Sequence, residues 1–348
     1  MPAFNFRYET MTIKFAAIGI NHAHIYGQVD CLLQAGAEFV AFHAVEDDLA
    51  ATFGGKYPQA KRVSDPRAIL EDAAIAVVLT AAIPADRAAI AIAAMQHGKD
   101  VLTDKPGMTD FAQFEAVRRV QAETGRIFSV LYSEHFEVRA TVEAGNLIAA
   151  GAIGEVVNTV GLGPHSLRLN NRPEWFFTRA RYGGILTDIA SHQFEQFLFF
   201  SNADDAEVVS ASVHNRHHPD RPGLQDVGDA HLRTGRTTGY IRVDWMTPTG
   251  LPTWGDGRLT ILGTEGYIEL RKYIDIAGRP GDNHLFLVNG KGVEHIDCSG
   301  VELPFGRQFL ADVRDRTETA MPRERCFNAM KLALTAQAMA EKGTGWAQ

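Results

Sequence analysis

Asp188 and His192 have the spacing that acid–base chemistry needs. Gly183 and Gly184 begin an apolar segment that continues to Phe200 with helical periodicity. On a helix, two residues four positions apart share one face, so the Asp188 carboxylate would orient the His192 imidazole and tune its basicity. Such an imidazole suits a general base that removes a hydroxyl proton. The alternative is a solvated pair on a helix surface. The nearby apolar side chains favour a partly buried, functional pair: Ile185, Leu186, Ile189 and Phe194.

Lys105 lies in an Asp104–Lys105–Pro106 segment that directly follows the apolar run Asp100–Thr103. Proline favours an extended conformation for the residue before it and ends the strand. The segment therefore predicts a cation at the carboxyl edge of a parallel sheet, where α/β proteins bind ligands. An ordinary loop lysine is the alternative.

The turn that begins at Gly19 is a candidate dinucleotide site, but an altered one. The usual G-x-G-x-x-G pattern lets backbone amides approach a pyrophosphate at the N-terminus of a helix. Here only Gly19 remains, with Asn21 and His24 at the second and third glycine positions. A plain strand–helix turn is an equally good interpretation.

The carboxylate that would bind the ribose hydroxyls has no clear counterpart in the sequence. Ala44 occupies the expected strand tip, and Glu46 follows two residues later. Glu46 could reach the ribose, although a solvated acid at a helix start is the favoured interpretation. The sequence therefore does not distinguish NAD from NADP.

The histidines and cysteines do not predict a metal site. The cysteines are few, and none lies in a CxxC spacing: Cys31, Cys298 and Cys326. Several histidines lack ordered ligand spacing: His165, His214, His217 and His218. His22 and His24 would act as ligands only in a different fold, so no metal is expected.

The elements that position these residues alternate between strands and helices from Lys14 to Val130. Continuous apolar strands separated by helices predict a doubly wound parallel sheet. The expected strands are Lys14–Ile18, Phe39–Ala44, Ile75–Thr80, Asp100–Thr103 and Ile127–Leu131. The expected helices are His24–Ala35, Asp86–His97 and Asp110–Thr124, with a further helical stretch that ends at Tyr57.

Beyond Gly154 the pattern changes to short strands joined by glycine-containing turns, which predicts a mainly antiparallel sheet. The expected strands are Glu155–Leu162, Glu207–Asn215, Ala230–Thr234, Tyr240–Met246, Arg258–Leu262, Tyr267–Leu270, His284–Val288 and Val293–Ile296. Two closing helices are expected at Phe305–Arg316 and Arg325–Glu341.

Length and composition agree with a globular protein of two domains. The chain has 348 residues, 45% of them hydrophobic and 22% charged. A net charge of -8 gives no basic field to attract nucleic acid or an anionic membrane. No apolar run is long enough to span a membrane, and residues 1–10 lack the pattern of a secretory signal. We expect a soluble cytoplasmic protein.

In the Asp104–Lys105–Pro106 and Gly183–His192 segments, the chain resembles the glucose–fructose oxidoreductase/inositol dehydrogenase (Gfo/Idh/MocA) family. That family has an E-K-P motif and a G-G-x-x-x-D-x-x-x-H motif, and the second is matched at full spacing. The resemblance implies a Rossmann domain followed by a second domain on a large, open, mainly antiparallel sheet. It also implies NAD or NADP as cofactor, His192 as the acid/base, Asp188 as a residue that positions it or the substrate, and Lys105 beside the reacting hydroxyl.

The implied activity is hydride transfer between nicotinamide C4 and a secondary alcohol or ketone of a sugar, inositol or related polyol. One alternative is a glycoside-cleaving enzyme that uses NAD transiently. Another is a sugar- or nucleotide-binding regulator with a degraded dinucleotide site, which the altered Gly19–His24 turn motivates. A homo-oligomer, dimer or tetramer, is also implied.

The resemblance assigns residues and boundaries as follows. The cofactor-binding residues would be Gly19, Ile20, Asn21, His22, His24, Glu46, Thr80, Ala81, Ala82, Asp104 and Lys105. Arg168, Arg172 and Trp175 could line a polyol pocket; equally, Pro173–Trp175 could simply anchor a long loop. Arg87 stands where the family often has histidine. The expected organisation is an extension outside the fold at 1–10, a Rossmann domain at 11–130, a sheet domain at 131–304, and closing helices at 305–348 that pack back near the Rossmann domain.

Overall fold

The computed structural model describes residues 12–344, with side chains described to residue 342. The expected extension at 1–10 lies outside the described residues. No helix within the described part is long and apolar enough to cross a bilayer.

The first sheet has six parallel strands in the order β3-β2-β1-β4-β5-β6. Its strands are β1 (Lys14–Ile18), β2 (Glu38–His43), β3 (Lys61–Arg62), β4 (Ile75–Thr80), β5 (Asp100–Asp104) and β6 (Phe128–Leu131). The strand order reverses between β1 and β4, which creates the crevice where such sheets bind ligands. The predicted doubly wound parallel sheet is confirmed.

Five helices connect these strands: α1 (His24–Gln34), α2 (Asp47–Lys56), α3 (Arg67–Leu70), α4 (Pro84–Gln96) and α5 (Phe111–Thr124). The start of α5 follows from local chemistry, because the Asp110 side chain accepts a hydrogen bond from the Gln113 amide at 2.8 Å. Its end follows too, because Gly125 adopts a φ of 61°. The sequence did not predict β3 or α3, which are too short to show a periodicity.

Two helices lead from the first sheet to the second: α6 (Ser133–Phe136) and α7 (Arg139–Ala149). Neither was predicted. α6 is a single turn, and it places Glu134 and His135 in the protein interior, at 2% and 6% exposure.

The second sheet has eight strands in the order β14-β13-β12-β11-β7-β10-β9-β8. All neighbouring strands are antiparallel except β7 and β10, so the predicted mainly antiparallel sheet is confirmed. The strands are β7 (Val156–Pro164), β8 (Glu207–His214), β9 (Val227–Arg233), β10 (Thr238–Asp244), β11 (Arg258–Gly263), β12 (Gly266–Arg271), β13 (His284–Asn289) and β14 (Gly292–Asp297).

The remaining helices link the two sheets. They are α8 (Arg179–Tyr182), α9 (Ile185–Asp188), α10 (Ser191–Ser201), α11 (Phe305–Asp315) and α12 (Arg323–Thr344). α11 packs against α1, and α12 contacts α5, α9, α10 and β8. Phe327 of α12 packs against Phe114 and Phe128, with ring centroids 5.8 and 5.6 Å apart. These apolar contacts hold α12, on which α9 and α10 pack, against the first sheet.

Candidate active site

The turn after β1 requires glycine at position 19. Its φ is +77°, and a Cβ atom there would lie 2.5 Å from the Cβ of Ala82. The turn is tied to its neighbours by backbone hydrogen bonds. The Gly19 amide donates to His43, the Ala81 amide donates to Gly19, and the His22 amide donates to Ala81. The glycine therefore lets the chain after β4 pass directly against the turn.

The side chains of four expected cofactor residues are covered by this packing: Ile20, Thr80, Ala81 and Ala82, none more than 5% exposed. The Thr80 hydroxyl accepts a hydrogen bond from the Ala82 amide at 3.3 Å. These residues therefore shape the turn through their backbone and packing.

Glu46 lies closer to the glycine turn than the sequence indicated. It is the N-cap residue of α2, in agreement with its interpretation as a helix start. However, its Oε1 atom also accepts a hydrogen bond from Asn21 Nδ2 at 2.7 Å. Ala44 is buried behind β2. Asn21 thus holds the Glu46 carboxylate beside the turn.

His22, His24 and Asp104 converge at the carboxyl edge of the first sheet. His24 Nδ1 lies 2.9 Å from Asp104 Oδ1, and His22 Nδ1 lies 3.2 Å from Asp104 Oδ2. One ligand-type atom from each of the three lies within 4.8 Å of the other two. The sequence did not indicate that His22 and His24 would meet at one carboxylate; that no metal binds there stays a prediction.

Arg87 is the buried cation that pairs with the Asp104 carboxylate in this cluster. It is fully buried, and its guanidinium lies 2.9 Å from Asp104 Oδ2. It also donates hydrogen bonds to the carbonyls of Ala82, Lys105 and Pro106. Although burial raises the pKa of Asp104, His24 and Arg87 bring it well below its ordinary value. Asp104 is therefore an anion that Arg87 and the histidines already satisfy.

Lys105 and Asp188 form a buried ion pair that joins the end of strand β5 to helix α9. Lys105 Nζ lies 3.0 Å from Asp188 Oδ1, and the side chains are 5% and 12% exposed. Lys105 follows β5 directly, and Asp188 ends α9. Burial raises the pKa of Asp188, but Lys105 outweighs it, and the net shift is downward. The Asp188 carboxylate is therefore ionised at neutral pH.

The expected Asp188–His192 pair is not formed, and this prediction was wrong. The helix is interrupted between them, because α9 ends at Asp188 and α10 begins at Ser191. Asp188 binds Lys105, while His192 Nδ1 is buried with no hydrogen-bond partner among the described residues. Burial brings the pKa of His192 well below its ordinary value. His192 is therefore a neutral imidazole that can accept a proton.

Gly183 and Gly184 position Asp188 by allowing close packing at the start of α9. Both have positive φ, at 92° and 87°. A Cβ atom on Gly184 would lie 2.3 Å from the amide carbon of Gln337 in α12. Gln337 in turn accepts a hydrogen bond from the Leu186 amide at 3.0 Å. The pair of glycines thus seats α9 on α12.

The arginines of the preceding segment differ in their surroundings. Arg168 is exposed and adopts a φ of 49°. The Arg172 guanidinium lies 4.3 Å from the ring centre of Phe176 and 4.9 Å from that of Trp245, and its Nε donates to the Leu167 carbonyl. Trp175 is half-buried and packs against Phe176.

Sequence reasoning missed the buried pair of Glu134 and Lys272, whose charged atoms lie 2.7 Å apart. An acidic residue three positions after the apolar strand β6 was the available signal. His165 was considered only as a metal ligand. It packs instead against Trp245 and Trp254, and burial lowers its pKa to about 4.

Comparison with known proteins places this chain among the oxidoreductases with an NAD-binding Rossmann domain. Residues 13–132 match the family model described as an oxidoreductase family with an NAD-binding Rossmann fold. Residues 141–269 match the GFO/IDH/MocA C-terminal domain. The chain belongs to the Gfo/Idh/MocA family, as the sequence motifs indicated.

Two relatives of known activity share part of the chain. Scyllo-inositol 2-dehydrogenase (NAD(+)) of Bacillus subtilis (strain 168) is 25% identical over 234 residues, 66% of this chain and 62% of the relative. Levoglucosan dehydrogenase of Pseudarthrobacter phenanthrenivorans is 30% identical over 198 residues, 54% of this chain and 48% of the relative. The matches thus span between about half and about three-fifths of these relatives.

A solved structure matches nearly the whole chain. It is that of a protein from Erwinia carotovora atroseptica SCRI1043 described as an oxidoreductase. It is 44% identical, with a TM-score of 0.92 over 94% of this chain and 99% of that one. Both domains and their arrangement are therefore shared.

Proposed function

We propose that this protein transfers a hydride between nicotinamide C4 and a secondary alcohol or ketone of a sugar, inositol or related polyol. The observation that carries the proposal is the Lys105–Asp188 ion pair with the neutral imidazole of His192 at the carboxyl edge of the Rossmann sheet. The activities named for the two relatives, on scyllo-inositol and on levoglucosan, support this class of substrate.

The residues around Gly19 fit a dinucleotide. The N-cap residue of α1, Ala23, makes no side-chain hydrogen bond, so the N-terminus of this helix could receive a phosphate. Half-buried His22 and His24 would meet the phosphates or the nicotinamide ribose, and Glu46 would meet the adenosine ribose. When bound, NAD or NADP supplies a hydride acceptor or donor at nicotinamide C4.

His192 and Lys105 have separate roles at the substrate hydroxyl. His192 accepts the hydroxyl proton at Nε2, since its Nδ1 is enclosed. The Lys105 ammonium has three N–H donors, one of which is bonded to Asp188. The other two can stabilise the negative charge that develops on the substrate oxygen. Asp188 holds the Lys105 ammonium in place. In the reverse direction, His192 returns the proton to the carbonyl oxygen.

Turnover by variants tests this proposal. A panel of polyols and their keto forms, assayed with both NAD and NADP, should identify substrates whose turnover His192→Ala and Lys105→Ala abolish. His214→Ala, at a histidine on β8, is the matched control and should keep the wild-type rate. Circular dichroism and a cofactor titration would show that each variant is folded. A His192→Ala protein with near wild-type turnover would refute the assigned base, and glycoside cleavage without net NADH would refute the reaction.

A further inference from the structure

The guanidinium of Arg87 joins the ends of two neighbouring strands at the carboxyl edge of the first sheet. Arg87 lies near the start of α4, and its side chain is fully buried. Its Nε donates a hydrogen bond to the Ala82 carbonyl at 2.7 Å, shortly after β4. Its Nη1 donates to the carbonyls of Lys105 and Pro106, directly after β5. Since β4 and β5 pair in parallel, this one side chain ties both of their ends together.

The main chain of Lys105 is held on both sides by side chains. Its amide donates a hydrogen bond to Asp104 Oδ1 at 2.8 Å, and its carbonyl accepts one from Arg87. The Arg87 guanidinium also lies 2.9 Å from Asp104 Oδ2. Together the two side chains fix the peptide groups before and after Lys105, each of which is planar. They therefore set the direction in which the Lys105 side chain leaves the backbone.

That direction matters because the Lys105 ammonium meets a buried partner on another element. Its Nζ atom lies 3.0 Å from Asp188 Oδ1, and both side chains are almost enclosed. A lysine carries its charge on a flexible aliphatic stem, so the side chain alone does not fix where the ammonium lies. A buried ion pair is favourable only when its geometry is good. A fixed backbone at Lys105 supplies part of that geometry.

A buried arginine is a costly way to fill this space. Apolar side chains of similar volume often replace a buried ion pair without loss of stability. A guanidinium does what they cannot, because its five N–H donors point in fixed directions and reach several acceptors at once. The contacts of Arg87 use this property, since they run to three carbonyls and one carboxylate. They favour a role in geometry over a role in filling the core.

We propose that Arg87 is the positioning residue for Lys105. It holds the Asp104–Lys105–Pro106 turn against the end of β4, so that the ammonium meets Asp188 and stays available to the substrate oxygen. The inference rests on the proposed function in taking Lys105 as the group that stabilises charge on that oxygen. The placement of Lys105 beside Asp188 needs no substrate and can be measured by itself.

Arg87→Lys tests the proposal, because it keeps a cation beside Asp104 and removes the planar set of donors. Misplacement of a reacting group by about 1 Å can cost roughly a hundredfold in rate. We therefore expect kcat and kcat/KM for a polyol substrate to fall together by roughly ten- to a hundredfold, with KM nearly unchanged, since the lost interaction acts in the transition state. An active enzyme whose kcat is unchanged in Arg87→Lys would overturn the proposal.

Arg316→Lys is the matched control, at the other end of the same strand. Arg316 Nη1 lies 2.7 Å from Asp100 Oδ2 at the start of β5, and this arginine also donates to the carbonyls of Val313 and Gly125. Arg316 is more exposed than Arg87, but the substitution changes the same kinds of contact without touching Lys105. It should lower stability and leave kcat at the wild-type value. Equal losses of kcat in both variants would show that Arg87 acts only by stabilising β5.

The coupling between Lys105 and Asp188 separates this proposal from the proposed function. Urea unfolding of Lys105→Met, Asp188→Asn and the double variant measures this coupling without any substrate. The coupling should become much smaller in an Arg87→Lys background and stay unchanged in an Arg316→Lys background. An unchanged coupling in Arg87→Lys refutes the role of Arg87 and leaves the function standing. If the wild type turns over no polyol, the function fails and the coupling still decides the role of Arg87.

A second variant keeps the test decisive if Arg87→Lys does not fold. Arg87→Met/Asp104→Asn removes both charges of the pair, and the new amide oxygen at position 104 can still accept the Lys105 amide hydrogen. The donors to the Lys105 carbonyl are gone, so the same reduced coupling to Asp188 is expected. A coupling of wild-type size in this variant would count against the proposal in the same way.

Discussion

The ammonium of Lys105 lies 3.0 Å from the carboxylate of Asp188, although the two residues are 83 positions apart in the chain. The pair joins the tip of β5 in the first sheet to the end of α9 beside the second. It is almost enclosed, so each charge depends on the other for its stability. The central cation of the candidate site is therefore held by a contact between domains.

Removing one partner of this pair should cost more than removing both. Asp188→Asn leaves a buried ammonium without a counter-ion, for which we expect a loss of about 3–5 kcal/mol in the free energy of unfolding. Lys105→Met/Asp188→Asn should recover much of that loss. Urea unfolding of the wild type, both single variants and the double variant gives the coupling energy. Simply additive losses would contradict a net interaction between the two residues.

Gly19→Ala should destabilise the protein more than the same substitution at a glycine that has a positive φ but no close neighbour. Gly36 is the control, because its φ is +94° and a Cβ atom there would have no neighbour within 4 Å. Gly36→Ala should cost roughly 1–2 kcal/mol. Gly19→Ala adds overpacking against Ala82, so we expect about 2–5 kcal/mol and a large loss of cofactor affinity. Equal losses of stability and unchanged cofactor binding would contradict this account of the turn.

Glu46 should make the protein prefer NAD to NADP. Its carboxylate lies beside the turn, bonded to Asn21, where it would bind ribose hydroxyls and repel a 2′-phosphate. Glu46→Gln should weaken NAD binding by roughly tenfold or more and weaken NADP binding less, because a hydrogen bond to a charged group is worth about 1.5–3 kcal/mol. Asp47→Asn is the control, since that exposed carboxylate bonds Arg62 instead. Fluorescence titration with both cofactors measures the ratio, and an unchanged ratio in Glu46→Gln would contradict the assignment.

Stability should fall as the pH is lowered from about 6.5 to 4. Burial is the main cause that lowers the pKa values of His22 and His165 from 6.5 to about 4. In this range the unfolded chain binds protons at these positions and the folded chain does not, so acid favours unfolding. Each histidine should contribute on the order of 1–2 kcal/mol at pH 5.

Urea unfolding across this range measures the effect, and His165→Gln should flatten part of the slope. The contribution of Glu134 comes at lower pH, because its pKa falls from 4.5 to about 2 and its stabilising charge is lost only as the pH passes through that interval. A free energy of unfolding that is constant from pH 7 to 5 would contradict the burial of the two histidines.

The elements of the fold could largely be predicted from the sequence. β1, β4 and the eight strands of the second sheet lie within a few residues of their expected positions. Their apolar runs, period-two patterns and glycine turns are local properties of the chain. The sequence did not predict β3, α3 and α6, which are too short to produce a pattern, and it also missed α7.

The motifs determined which residues meet, but not how they pair. Spacing along a helix placed Asp188 beside His192, yet the break between α9 and α10 gives Asp188 to Lys105. Glu134, which no motif singled out, pairs with Lys272, 138 residues further along the chain. By itself the sequence determined the strands, the glycine turn and the chemical groups of the site. Only the tertiary structure decided their partners, because a buried charge is satisfied by whichever group packing brings within reach, and that depends on how distant elements meet.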